Sequence, residues 1–294
     1  MRKTRGDKAF RLLCVAFVTL FAAVCLYPLV LVLAVSLSDE TTVLRYGYNI
    51  WPRMFSTGSY QYIFQHSGSK IFASYRVTIT TTVVGTLLSL LITSMISFAL
   101  SIRQLRYRNV IAFLCNFTIV FSAGLIPWYI VCVNLLGLKN NLGGLIVPSL
   151  FSVWNMFLLR TYFSDIPPSL FESATLDGAG YFTIFARIAV PLSKTALLTV
   201  GMMYALSYWN DWWNALMFIE KKELFPLQYL LYNVLSNVNA ISAGKIPRGM
   251  TTMKLPSETI KMTLTMVTIG PIIFLYPFIQ KYFVSGIMSG AVKE

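Results

Sequence analysis

The sequence predicts an all-α integral membrane protein built on six transmembrane helices. Three observations carry this. Of 294 residues, 56% are apolar and only 12% are charged, against about a quarter charged in a soluble domain. The mean hydropathy is +0.66. Six apolar runs each reach the length of about 20 residues that a helix needs to cross the hydrocarbon core. The net charge of +13 does not point to nucleic acid. Its basic residues flank apolar runs, a placement suited to anionic lipid headgroups.

The six runs are expected at about 10–37, 77–100, 109–136, 142–162, 193–218 and 259–283, together forming one transmembrane domain over 10–283. The first has a basic flank (Arg2, Lys3, Arg5, Lys8, Arg11) and resembles a signal peptide. Its apolar core is too long for a cleaved one, so residues 1–9 are read as a cytoplasmic N-terminus before an uncleaved first helix. Orientation follows from the short loops, where the positive-inside rule applies. The loop after the second run holds Arg103, Arg106 and Arg108, whereas the short loop 137–141 holds only Lys139. Both termini are therefore expected in the cytoplasm, with 284–294 as a cytoplasmic tail.

Chemistry-bearing clusters are few. The cysteines (Cys14, Cys25, Cys115, Cys132) all lie in apolar runs without metal-like or redox spacing, and the one histidine, His66, has no ligand cluster around it. No G-x-x-x-x-G-K-[ST] run is present, so this chain is not expected to cradle ATP phosphates. No H-E-x-x-H or G-x-S-x-G occurs either. The chain is read as a non-enzyme without catalytic, cofactor or metal residues.

Two stretches stand out. Residues 165–191 interrupt the apolar pattern between the fourth and fifth runs. Pro167-Pro168 bar a helix from running through. Ser169 with Glu172 three residues on has the form of a capping box, predicting a short helix over 169–177. Gly178 and Gly180 end it, and a second helix is expected from Tyr181 to Val190. The other stretch is Tyr204–Asn214 in the fifth run. Tyr204, Tyr208, Asp211 and Trp212 fall at helical spacing on one expected face. A carboxylate in a membrane helix normally faces a cavity or a partner. Aromatic faces and carboxylates are also what sugars bind, so this face is a candidate substrate path. Trp154 and Asn155 of the fourth run join it, while Trp209 and Trp213 read as an interfacial aromatic belt.

Glu172-Ser173-Ala174, three residues, Gly178, nine residues, Ile188, one residue and Val190-Pro191 resemble the EAA loop of ATP-binding-cassette (ABC) importer permeases. That pattern reads E-A-A, three residues, G, nine residues, I, one residue, L-P. Ser173 and Val190 depart from it, each by a small or apolar exchange. Trp51-Pro52 and Phe55, in a first outer loop of about 38–76, resemble a segment of sugar-import permeases. The ending Lys281–Glu294, with Gly286 and Gly290, resembles the glycine-rich tail of carbohydrate permeases. The resemblance implies the type I importer permease fold, with Glu172, Ser173, Ala174, Asp177, Gly178, Ile188 and Pro191 on a coupling helix that docks on an ATPase.

It also implies a second permease subunit, two ATPase subunits that hold ATP and Mg, and an extracellular solute-binding protein. The cargo would be a carbohydrate, expected as an oligosaccharide, in the plasma membrane of a prokaryote. An ion-coupled secondary transporter would need intramembrane carboxylates or split midplane helices, and Asp211 is the single candidate. An importer for another solute would share the loop. A membrane-embedded enzyme would need an interfacial His, Asp or Glu cluster, which is missing.

Overall fold

Proline, glycine and Asx positions cut the apolar runs into more helices than their lengths suggest. The structure, a computed structural model, describes residues 5–242 and 258–273. Helix α1 is Arg5–Ser36 and runs through Pro28. It is followed by α2, Glu40–Tyr46, and α3, Gly58–Ser101. The third run is α4, Arg108–Val120, then α5, Leu125–Ile130, which continues as a π turn, Val131–Leu135. The fourth is α6, Gly143–Ile146, a 3-10 turn and α7, Val153–Ser164. Next come α8, Pro168–Leu176, and α9, Tyr181–Ile184, leading through a π turn into α10, Val190–Leu192. Helices α11, Lys194–Trp209, α12, Trp213–Phe218, and α13, Leu227–Ser242, follow. Residues 258–273 form α14.

Among the described residues, two helices are long and apolar enough to cross a membrane, or up to five if each bent pair is one span. The bends are 114° between Arg108–Val120 and Leu125–Leu135, 52° between Gly143–Ser149 and Val153–Ser164, and 86° between Tyr181–Leu192 and Lys194–Trp209. The first follows from Gly124 at φ 87°, which other residues adopt only with strain. Residues 274–283 of the sixth expected span and the whole tail, with Gly286 and Gly290, lie outside the described residues.

Both long expected loops are partly helical. The first holds α2 and the opening of α3, so Tyr60 to Phe64 and His66 are helical. His66 stacks on Tyr62 at 4.3 Å. The second, expected at about 219–258 between the fifth and sixth runs, holds α13.

The described residues fall in two compact units, one within Met1–Ser69 and Leu231–Pro271, the other within Lys70–Leu230 and Ile272–Glu294. In the first, polar groups tie α2 and the residues just after it to α14. The Glu40 carboxylate accepts the backbone N–H of Glu258 (3.1 Å) and of Thr259 (3.0 Å) at the start of α14, where a negative charge suits the helix dipole. The Tyr48 hydroxyl donates to Glu258. Burial and that carboxylate push Tyr48 up to about 12, while Lys261 holds Glu258 below its usual range.

The second unit has an aromatic core beside α8. Phe98 of α3 meets Phe163, Phe171 and Phe185 at 5.9, 5.9 and 5.4 Å. Leu159, Ile184, Ala189, Val200, Tyr204 and Tyr208 complete this buried cluster.

Candidate functional site: an exposed helix on an aromatic base

The expected short helix exists as α8, one residue earlier than predicted. Pro167, at ψ 126°, is the N-cap and Pro168 the first helical residue. That is where proline fits best, because its missing N–H has no helical partner there. Ser169 is thereby drawn into the first turn. The capping box read from Ser169 and Glu172 does not form, and no side chain caps α8. Ser173 instead donates to the Ser169 carbonyl (2.8 Å) and Thr175 to that of Phe171 (2.8 Å).

The end of α8 is as expected. Gly178 takes φ 82°. Its N–H reaches the Thr175 carbonyl (3.0 Å), and the Ala179 N–H reaches Ala174 (2.9 Å). These two bonds make a Schellman turn, whose left-handed residue is normally glycine.

The two faces of α8 differ. Phe171 and Ala174, three apart, pack against the aromatic core. Glu172, Ser173 and Asp177 are exposed, and Leu176 is 89% exposed. Ile188 packs partly buried on the same core. Pro191 follows the π turn Phe185–Ala189, a widened turn that makes room for a ring that would otherwise press on the carbonyl four residues back. The chain then bends at Ser193 into α11.

Sequence reasoning missed Phe98 and Phe171 as the base of this element. Phe171 lies inside the motif, and its spacing to Ala174 was the available signal.

The second cluster is arranged differently from the expectation. Tyr204 and Tyr208 share one face of α11, but they are 3% and 2% exposed. The Tyr204 hydroxyl bonds Thr93 (2.7 Å) and accepts the Ser152 N–H (2.9 Å). The Tyr208 hydroxyl bonds Ser89 (3.0 Å) and donates to the Ile146 carbonyl (3.0 Å). Gly85 makes room for the Tyr208 ring, which would lie 2.6 Å from a Cβ placed there. Small residues allow such close helix approach in membranes. These tyrosines fasten α11 to α3 and to the broken fourth span.

Asp211 and Trp212 do not extend their face, because α11 ends at Trp209. The Asp211 carboxylate accepts the Asn214 N–H (3.0 Å) and side-chain amide (2.7 Å) at the start of α12. An Asp before a helix competes for its first N–H groups in this way. Asn214 also donates to Ser149 (3.0 Å). Trp212 is 37% exposed, Trp154 is 71% exposed and Asn155 is 7% exposed. Trp209, read as an interfacial belt residue, is buried, whereas Trp213 is exposed.

No family model matches the chain. Known proteins do. It is 35% identical to the polygalacturonan/rhamnogalacturonan transport system permease protein YtcP of Bacillus subtilis (strain 168), over 98% of this chain and 99% of that one. It is 29% identical to the arabinooligosaccharides transport system permease protein AraQ of the same organism, over 100% and 99%. A crystal structure of a bacterial ABC transporter involved in the import of the acidic polysaccharide alginate matches with a TM-score of 0.81 and 30% identity, over 95% of this chain and 98% of that one. A full-length relationship at this identity, on a shared all-helical fold, makes the chain a multi-pass membrane protein of the carbohydrate ABC transporter permease family, a permease subunit that is not itself an enzyme.

Proposed function

We propose that this chain forms part of the membrane path of a bacterial importer for an oligosaccharide, paired with a second permease subunit. Two ATPase subunits would bind the face that carries α8, and a solute-binding protein would deliver cargo on the opposite face. The observation that carries this reading is α8 itself. It is backed by Phe98, Phe163 and Phe185 and turns Glu172, Ser173 and Leu176 outward. Such a part moves as one piece with the bundle when a partner pushes on it.

The names of the relatives support a saccharide cargo: polygalacturonan or rhamnogalacturonan for one, and the acidic polysaccharide alginate for another. Of the path residues, the exposed Trp154 and Trp212 are proposed to meet sugar. Tyr204 and Tyr208 are internal posts. Residues 1–9 and 284–294 are proposed to lie on the ATPase side, as the short-loop arginines imply.

Uptake by the reconstituted complex tests the function. Labelled galacturonate and arabinose oligomers should enter vesicles only with ATP and binding protein present. Entry driven by an ion gradient without ATP would overturn it. Thiol labelling tests the orientation. Gly58→Cys should react with an impermeant reagent from outside the cell and Leu105→Cys should not.

A further inference from the structure

The end of the second unit that carries α8 also carries an arginine-lined groove, which the coupling reading leaves unused. Its volume is about 740 Å³, and Arg103, Arg108 and Arg160 line it together with Phe98, Phe171 and Glu172. A second trough of about 460 Å³ shares Phe98, Ile102, Gln104 and Tyr181 with the first, so the two adjoin. That trough is walled by Met95, Ala99, Leu105, Phe182 and Phe185, with Arg106 as the one charged group among its described residues. Among the described residues, four guanidiniums and one carboxylate line the two troughs.

The ion pairs seen among the described residues are Lys139–Glu220 and Lys261–Glu258, and neither involves these arginines. Arg106 and Arg160 lie over the rings of Tyr107 and Phe157 at 5.6 and 6.0 Å, contacts that leave their charge uncompensated. Helix α4 opens at Arg108 without a side-chain cap, which adds the positive end of its dipole.

We propose that this joined site binds one anionic phospholipid. The phosphate diester sits among Arg103, Arg108 and Arg160, and an acyl chain lies along the Met95–Phe182 trough. A free phosphate would use the arginines and leave the apolar trough empty. An acidic protein surface would likewise leave it uncovered. An amphiphile with an anionic head and an apolar tail fills both. Arginine suits the head because its planar fork meets phosphate oxygens in pairs. The groove is also walled by Phe171, Glu172 and Thr175 of α8, so a bound headgroup would brace α8 from the side, complementing the ring of Phe98 behind it.

The experiment is native mass spectrometry of the assembled transporter, delipidated and then offered dioleoylphosphatidylglycerol or dioleoylphosphatidylcholine. The wild type should retain phosphatidylglycerol at least about tenfold better than phosphatidylcholine. Arg103→Gln with Arg160→Gln should weaken that retention by about 30-fold, near fivefold for each guanidinium removed. Lys139→Gln, at the other end of the second unit, should not change it. Inorganic phosphate at millimolar concentration should not displace the lipid.

Equal retention by the double variant, or no preference for the anionic lipid, would sink the proposal. Displacement by inorganic phosphate alone would make this a free-anion site. Loss of the ATPase subunits from the double variant, with no phosphatidylglycerol retained by the intact wild-type complex, would make the groove a protein dock. The readout is bound lipid, so failure here leaves the transport reading standing.

Discussion

The two ends of α11 follow opposite designs. Beyond Lys194 the chain turns through 86° into α10, α9 and α8, whose side-chain hydrogen bonds among the described residues stay inside α8 itself. What holds that end is the aromatic base, and its outer face is left open. Beyond Trp209 the chain breaks at Asn210–Trp212, and nearly every polar group is answered from within. Asp211 and Ser149 hold Asn214. Asn140 accepts the N–H of Glu220 (2.7 Å) and Lys221 (3.1 Å). Gln228 donates to Asn210 (3.1 Å). Buried or half-buried polar groups need partners, and the Trp209 end supplies them for Asn210, Asp211 and Asn214, though the buried Trp209 indole N–H has none among the described residues. At the α8 end Glu172 is exposed and no bond to its carboxylate is seen among the described residues, so an outside surface has room to reach it.

The comparison is tested hardest at Gly178. Proline cannot adopt φ 82°, and its fixed φ near −65° would remove the Schellman turn. Gly178→Pro should cut uptake per assembled complex to background while the melting midpoint of the complex falls by only a few degrees. Wild-type uptake would mean that α8 does not transmit motion.

Phe98→Ala comes next. It removes the ring that touches Phe163, Phe171 and Phe185, and truncations of buried aromatics typically cost about 3–5 kcal/mol. Denaturant titration should show that loss, and amide exchange should accelerate in α8 more than in α12. Equal acceleration in both helices would mean that the two ends are not held independently.

The same contrast explains what could be read from the sequence. The loop over 165–191 was legible because its signals are local. Two prolines open the helix, one glycine closes it, and Ile188 and Pro191 keep fixed spacing. The one error there, the capping box, arose because Pro167 outranks Ser169 as the starting residue. The Trp209 end was misread because Asp211 and Asn214 lie in a stretch whose composition suits a continuous helix. Only the bond from Asp211 to the Asn214 N–H shows that one helix stops and another starts. Helical spacing beyond Trp209 then no longer defines a face. Likewise, helical spacing alone places Tyr208 on a candidate substrate face, because its partners Ser89, Ile146 and Gly85 are distant in sequence. The unequal lengths found for α3 and its predicted span have a similar cause. The polar residues of 58–76 hide an apolar stripe, Ile63 and Ile71, that is buried.

Gly85→Ala sharpens the tyrosine assignment. A methyl 2.6 Å from the Tyr208 ring must displace it, and overpacking of this kind costs about 1–3 kcal/mol. Adding Tyr208→Ala should restore most of the lost stability, since the clash is then gone. If the double variant is less stable than either single one, α3 and α11 are not packed through this contact.

Asn214→Ala should have a smaller effect. It removes the amide bonds to Asp211 and Ser149 but keeps the backbone N–H, and a net loss of about 1 kcal/mol is expected. Uptake per assembled complex should stay within about twofold of wild type, a difference of only a few tenths of a kcal/mol. Lost uptake without lost stability would move sugar handling back to the Asp211 region.

The smallest effect should come from the Lys139–Glu220 pair, 2.8 Å apart and exposed on both sides. Lys139 holds Glu220 below its usual 4.5, and Glu220 holds Lys139 above its usual 10.5. The sign of each follows from linkage. A lowered carboxylate contributes stability above pH 4.5 that is lost as the pH falls below it. A raised ammonium contributes stability below pH 10.5 that is lost as the pH climbs past it. The pair is thus fully present between those limits and screened by salt throughout. Glu220→Gln should flatten the melting midpoint against pH below 4.5, shift it little at pH 7, and shift it less still in high salt. Asn140→Ala should cost more than Glu220→Gln, because Asn140 sits at φ 57° and accepts two backbone N–H groups that alanine would leave unpaired. Should Glu220→Gln prove the more damaging of the two, the Trp209 end is held by charge and not by its hydrogen bonds, and the contrast with the α8 end would need to be redrawn in those terms.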